Sequence, residues 1–128
     1  METIKVLKAL GDEHRLRIVQ LLMNRELCAC ELEGILSMSQ SNVSRHLTKL
    51  NEAQVTVFRK DAKYSYYRIR EEALVEAPYL ITVMETLVKE GIYQEDLKKL
   101  KKYTDHGLGC DDIKENVLLF LNVNEEVI

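Results

Sequence analysis

Proline, glycine and cysteine are scarce in this sequence, and each scarcity narrows the possible folds. The 128 residues contain one proline and five glycines, which predicts long uninterrupted helices because these residues are the main helix breakers. No apolar run approaches 18 residues, and the N-terminus lacks a basic stretch followed by an apolar one. Neither a membrane span nor a signal peptide is therefore expected. Three cysteines without a secretion signal predict free thiols in a reducing cytoplasm rather than structural disulfides.

The composition indicates one soluble globular domain, but its charge is unevenly distributed. Hydrophobic residues make up 46% and charged residues 30%, with a net charge of −3. Residues 39–70 carry seven Lys/Arg against two acidic residues, a net charge of +5, whereas the remainder carries −8. A basic block on an acidic body is the electrostatic footprint of an element that meets nucleic-acid phosphate.

The first half of the chain has the pattern of a helix-turn-helix. The predicted elements are a helix over 3–10, a helix over 15–23 that Asp12 caps, a short helix over 29–36, a turn over 37–39, and a helix over 40–52 that Ser39 caps. On the last helix, Val43, Leu47 and Leu50 form one apolar stripe. The opposite face is small, polar and basic, with no acidic residue before Glu52. Such a face can enter the major groove of DNA.

The segment 55–69 predicts a β-hairpin, since β-branched and aromatic residues flank a polar centre. We call the helix over 40–52 the recognition helix, and a basic hairpin that follows such a helix is the wing of a winged-helix domain. Three wing residues are predicted to reach the DNA backbone or minor groove: Arg59, Lys60 and Lys63. The recognition helix contributes eight predicted DNA-binding residues: Gln40, Ser41, Asn42, Ser44, Arg45, His46, Thr48 and Lys49.

A long apolar helical region follows the hairpin, over about 71–103. Its stripe around Leu80 and Val88 exceeds what a small domain can bury, so we expect it to pair with its copy in a symmetric dimer, together with the N-terminal helix. Pro78 and Gly91 are the expected positions of a kink or break. The sequence thus predicts a mostly α fold with a small β-hairpin. Its winged helix-turn-helix and dimerisation domain spans 1–103, and a C-terminal loop and short helix span 104–128, with the helix over about 111–121.

Two thiols stand one residue apart immediately before the predicted helix-turn-helix, at Cys28 and Cys30. Residues two apart in a regular helix point about 200° from each other, so these thiols can share an ion only if the first turn is non-helical or unwinds. Thiolates select soft or borderline ions such as zinc, cadmium, lead and cuprous copper. Trivalent arsenic and antimony favour three sulfurs, and Cys110 is the remaining one.

Four segments together resemble the ArsR/SmtB family of metal-responsive repressors. They are KALGDEHRLRI at 8–18, ELCACEL at 26–32, SQSNVSRHL at 39–47 and YYRI at 66–69. The resemblance covers about residues 2–100 and implies a cytoplasmic homodimer, without membrane contact. Such a dimer binds double-stranded operator DNA when metal-free and releases it when the ion binds. Dimer symmetry predicts an inverted-repeat operator.

The sequence departs from the family's thiol pattern at one position. The best-known arsenic repressors carry a third Cys three residues after the second, and that position here is Glu33. We therefore predict that Cys28, Cys30 and Cys110 bind As(III) or Sb(III) as the inducer, with no permanent cofactor. Cys110 comes from the same or the other subunit.

Four other functions stay open at this point. The chain could be a cadmium-, lead- or zinc-responsive repressor, or a thiol redox or persulfide sensor, of the same fold. A cysteine enzyme is disfavoured because no base with an orienting partner accompanies the thiols. A winged helix that binds only protein is disfavoured by the acid-free face of the recognition helix.

Overall fold

Seven helices and three strands follow one another through residues 1–110, which are the part of the chain that the computed structural model describes. In chain order they are α1 (Thr3–Leu10), α2 (Glu13–Leu22), β1 (Leu27–Cys28), α3 (Ala29–Leu36), α4 (Gln40–Glu52), β2 (Thr56–Asp61), β3 (Tyr64–Ile69), α5 (Glu71–Glu76), α6 (Tyr79–Leu87) and α7 (Gly91–Asp105). None of these helices is long and apolar enough to cross a membrane. The helix predicted over 111–121 lies outside the described residues.

The helix-turn-helix prediction is confirmed in its bounds and in its caps. Helices α3 and α4 have the predicted limits, and the Asn42 N–H donates to Ser39 Oγ over 3.3 Å at the start of α4. The predicted apolar stripe of Val43, Leu47 and Leu50 is at most 1% exposed. One face of α4 therefore packs against the core, and the opposite face is exposed to solvent.

The wing is a hairpin of β2 and β3, as predicted, but a third strand joins it. Strand order is β1-β3-β2, all antiparallel, and the hairpin reverses between Asp61 and Tyr64. Ala62 adopts the left-handed conformation there, at φ 56°. The sequence did not predict β1, a two-residue strand in which Cys28 pairs with Tyr66 of the wing.

The predicted long C-terminal helical region is three helices. The breaks fall beside Pro78 and Gly91, the two expected positions. Large apolar side chains are exposed on α1, on α6 and at the C-cap of α6: Ile4, Leu7, Ile81 and Val88, at 60%, 48%, 38% and 39%. These are the elements from which we predict the dimer contact.

Helix α7 folds back onto the N-terminal half of the domain. Arg17 of α2 donates two hydrogen bonds to the Asp96 carboxylate, over 2.8 and 2.9 Å. Asp96 is only 1% exposed, so this pair lies inside the contact between the two helices. After α7, Gly107 takes a left-handed conformation at φ 65°, which glycine adopts without steric cost, and the chain turns towards Cys110.

We predict that Asp96→Asn lowers the free energy of unfolding by about 3 kcal/mol, because it leaves the largely buried Arg17 guanidinium without its counter-charge. Urea denaturation monitored by circular dichroism measures the change. The control is Lys101→Gln on the same helix, which breaks a highly exposed ion pair with Asp105 and is expected to cost under about 0.5 kcal/mol. Equal effects of the two substitutions would contradict a structural role for the buried pair.

Candidate functional site

The backbone at Cys28 is extended, and this determines how the two neighbouring thiols are arranged. Cys28 is the N-cap of α3, with φ −81° and ψ 164°, while Cys30 lies in the first helical turn. Because only one of the two residues is helical, their side chains converge, and the two Sγ atoms lie 2.8 Å apart. The non-helical first turn that shared ligation requires is therefore present.

The third thiol of the chain reaches the same point from the end of the described residues. The sulfurs of Cys28, Cys30 and Cys110 all lie within 4.8 Å of one another. Cys110 is from the same chain, and it forms a disulfide with Cys28. The sequence predicted free thiols, so this bond is a correction. Cys30 stands outside the disulfide.

A buried carboxylate connects the thiol cluster to α7. Glu31 is 1% exposed, and it accepts a 2.8 Å hydrogen bond from the Cys28 N–H and another from the Tyr103 hydroxyl. Burial, and then the hydrogen bond to Glu31, raise the pKa of Tyr103. Sequence reasoning missed this network. The spacing of Glu31 three residues after the N-cap is a capping-box signal, but nothing in the sequence points to Tyr103.

The predicted DNA-binding residues of α4 form one exposed face, with a single exception. Exposed residues are Gln40, Ser41, Asn42, Ser44, Arg45, Thr48 and Lys49. Arg45 donates to Asn42 Oδ1 over 3.1 Å, which places the guanidinium and the amide side by side. His46 is 4% exposed, so its side chain cannot reach a base or phosphate and the prediction for it is corrected.

The three predicted wing residues are also exposed, but Arg59 is already engaged. Lys60 is the residue before the last one of β2, and Lys63 lies within the hairpin reversal. Arg59 forms an ion pair with Glu26, whose shortest distance is 2.6 Å, and its guanidinium lies 4.8 Å from the centre of the Tyr66 ring. Arg59 therefore ties the wing to the segment that leads into Cys28.

A second group of possible metal ligands joins the start of α2 to the recognition helix. Suitable atoms of Asp12, His14 and His46 lie within 4.8 Å of one another. A guanidinium nitrogen of Arg15 lies 3.2 Å from His46 Nδ1, and Arg15 also donates to the Ala9 carbonyl of α1. Because the positive Arg15 already engages the imidazole nitrogen, we assign this group to helix packing rather than to metal binding.

Comparison with known proteins identifies the class of regulator. The family model described as bacterial regulatory protein, arsR family, matches residues 12–55. The cadmium resistance transcriptional regulatory protein CadC homolog of Staphylococcus aureus is 36% identical over 84 residues, which cover 62% of this chain and 69% of that protein. The chain belongs to the arsR family. The family consists of transcriptional regulators, in agreement with the prediction that the chain is not an enzyme.

Another relative of this arsR-family chain carries an arsenic-related name. The arsenic resistance transcriptional regulator ArsR1 of Pseudomonas putida is 41% identical over 68 residues. The match covers 52% of this chain, and the chain spans only 53% of the length of that regulator.

Solved structures support the fold of this arsR-family member. Reduced HlyU from Vibrio cholerae superimposes with a TM-score of 0.58 at 30% identity, covering 68% of this chain and 85% of that one. A homodimeric winged helix-turn-helix DNA-binding domain from Mycobacterium bovis superimposes with a TM-score of 0.58 at 26% identity, covering 66% and 79%. The winged helix-turn-helix prediction is confirmed.

We predict that the buried His46 makes the domain less stable in mild acid. Burial, followed by the charges of Arg45 and Arg15, lowers the pKa of His46 below 6.5, although the Asp12 charge opposes this. The unfolded chain therefore takes up the proton first, and stability falls as the pH drops below about 6.5 until the lower folded-state pKa is passed. The measurement is the urea midpoint between pH 7.5 and 5.5.

His46→Gln is expected to lose this component of the pH dependence. His106→Gln is the control, because His106 is exposed at the end of α7, and this variant should keep the pH dependence that His46 causes. The same slope in His46→Gln and in the unsubstituted protein would contradict the assignment.

Proposed function

We propose that the protein is a metal(loid)-sensing transcriptional repressor. It binds operator DNA without an inducer and dissociates when Cys28, Cys30 and Cys110 bind arsenite or antimonite. The observation that carries this proposal is the convergence of the three sulfurs within 4.8 Å, at the start of the helix α3 that leads into the recognition helix. The P. putida and S. aureus relatives, whose names concern arsenic and cadmium resistance, support it.

The ligand chemistry requires all three cysteines as thiols. Arsenous acid and three thiols condense to an arsenic trithiolate and three waters, so no electrons are transferred. The Cys28–Cys110 disulfide must first be opened, and two molecules of a monothiol reductant do this, leaving two protein thiols and one small-molecule disulfide. In this condensation the thiol protons leave in the three waters, so no net proton is released to the solvent. A divalent ion such as cadmium would instead displace thiol protons into the solvent, and its apparent affinity would fall as the pH falls.

The site contacts both elements that would read DNA. Helix α3 leads through Ser37–Ser39 into α4, and β1 pairs directly with the wing at Tyr66. A small movement of Cys28 is therefore transmitted to the recognition helix and to the hairpin. A coupling free energy of about 1–3 kcal/mol already changes affinity roughly 5- to 150-fold.

The proposed partner is an inverted-repeat operator bound by a homodimer. The exposed apolar side chains of α1 and α6 support self-association, because burying them in a copy of the chain removes them from water. In such a dimer the exposed polar and basic faces of the two α4 helices enter successive major grooves, about one helical turn apart.

Two other inducers remain as candidates, each favoured by one observation. The CadC relative favours cadmium or another soft divalent ion, such as lead or zinc. The Cys28–Cys110 disulfide favours a thiol oxidant, since oxidation alone would rearrange the same junction.

The direct test is the affinity of reduced protein for a fluorescently labelled operator, measured by anisotropy during titration with arsenite. We expect arsenite to release the DNA. In Cys110→Ser the arsenite concentration needed should rise at least about tenfold, about 1.4 kcal/mol, because one of three sulfur ligands is lost. Each variant's operator affinity without inducer is measured first, and its response is expressed relative to that value.

Three outcomes would count against this proposal. Release by cadmium or lead but not by arsenite identifies a different ion. Release by peroxide in metal-free buffer identifies a redox sensor. An unchanged arsenite response in Cys110→Ser means that the site has fewer than three sulfurs.

A further inference from the structure

Arg59 reaches across one face of the three-stranded sheet. It stands on the outer strand β2, and its guanidinium lies 4.8 Å from the centre of the Tyr66 ring on the central strand β3. Beyond that ring, Nε and Nη2 of Arg59 donate to the two carboxylate oxygens of Glu26 over 3.1 and 2.6 Å. Two such hydrogen bonds fix the mutual orientation of a guanidinium and a carboxylate. We call Arg59, Tyr66 and Glu26 the wing strap, because they connect the outer strand of the wing with the segment that enters β1.

The wing strap lies on the face of the sheet that is turned away from the recognition helix. Side chains of a strand alternate between the two faces, and cross-strand partners share a face. Tyr67 pairs with the fully buried Leu27 and lines a groove together with α4, so its face is turned towards the core and α4. Arg59 pairs with Tyr66 and therefore lies on the opposite face, whereas the next residue, Lys60, lies on the same face as Tyr67.

Arg59 and Lys60 therefore differ in what they offer to DNA. The charge of Arg59 is opposed by two carboxylates, because Asp61 lies 3.6 Å from it in addition to the bonded Glu26. Turning the guanidinium towards a phosphate would break its hydrogen bonds to Glu26 and leave that carboxylate without its partner. Lys60 is exposed on the side of the recognition helix, where its ammonium can neutralise a phosphate.

We propose that Arg59 is a positioning residue for DNA binding. The wing strap holds the hairpin at the angle at which Lys60 and Lys63 reach the DNA, and Arg59 itself neutralises no phosphate. Since β1 pairs with β3 at only two positions, the strap gives the hairpin a second attachment to the body of the domain. Under this proposal Arg59 leaves the set of residues predicted to contact DNA. The inference rests on the DNA binding of the proposed function but not on its inducer.

The first test is the sign of the effect of removing the Glu26 charge. In reduced, metal-free protein, Glu26→Gln should lower the operator affinity at least about fivefold. An exposed ion pair and a cation–π contact are each modest, but the proposed dimer has two wings. Arg59→Gln should lower the affinity by a similar factor, and the double variant should differ from either single one by less than about twofold, because both substitutions break the same contact.

The matched control for the lost negative charge is Glu52→Gln at the end of α4. Removing an acidic side chain near DNA without a positioning role reduces repulsion, so this variant should keep or raise the affinity. An unchanged or raised affinity in Glu26→Gln would overturn the inference.

The second test is the salt dependence of operator binding. The slope of the logarithm of the affinity against the logarithm of the salt concentration falls by about 0.9 for each phosphate contact that is lost. Lys60→Gln should reduce the slope by about this amount for each wing on the DNA, while Arg59→Gln should leave it within about 0.3. A reduction in Arg59→Gln equal to that in Lys60→Gln would show that Arg59 binds phosphate. An unchanged slope in Lys60→Gln would remove the contact that the strap is proposed to position, and either result would overturn the inference.

A measurement without DNA separates this inference from the proposed function. Amide hydrogen exchange in the hairpin, over 57–68, should accelerate at least about threefold in Glu26→Gln and Arg59→Gln and less than about twofold in Glu52→Gln. Failure of the unsubstituted protein to bind the operator would contradict the proposed function, and the exchange rates would still decide whether the strap holds the wing. Equal exchange rates in all the variants and the unsubstituted protein would overturn the inference.

Discussion

The extended backbone of Cys28 at the junction of β1 and α3 is the constraint on which the thiol site depends. Were Cys28 inside a regular helix, its side chain would point about 200° away from that of Cys30. The strand pairing with Tyr66 and the Glu31 carboxylate on the Cys28 N–H together hold this residue extended. The two sulfurs consequently lie 2.8 Å apart.

The same junction explains how a sulfur ligand could control DNA binding. β1 belongs to the sheet of the wing, α3 leads into the recognition helix, and Glu31 joins both to α7 through Tyr103. Helix α7 in turn delivers Cys110 and is anchored on α2 by Asp96. Any change at the sulfurs therefore acts on several packed elements at once, and packed elements move as units rather than deform continuously.

Sequence patterns predicted those parts of the structure that depend on local periodicity and capping. The bounds of α3 and α4, the stripe of Val43, Leu47 and Leu50, and the hairpin each follow from residues close together in the chain. Strand β1 was missed because two residues give no alternation to detect, and its partner Tyr66 is distant in sequence. The burial of His46 was missed because its packing against Arg15 is tertiary. That Cys110 meets Cys28 depends on the docking of α7, which no local pattern encodes.

X-ray absorption at the arsenic edge of the reduced, arsenite-loaded protein shows whether all three cysteines bind the arsenic atom. It counts the atoms bound to arsenic without relying on DNA release. We expect three sulfurs at a single distance and no oxygen, because the three cysteines converge within one chain. Two sulfurs and one oxygen would contradict this expectation, since Cys110 would then lie outside the site that binds arsenite.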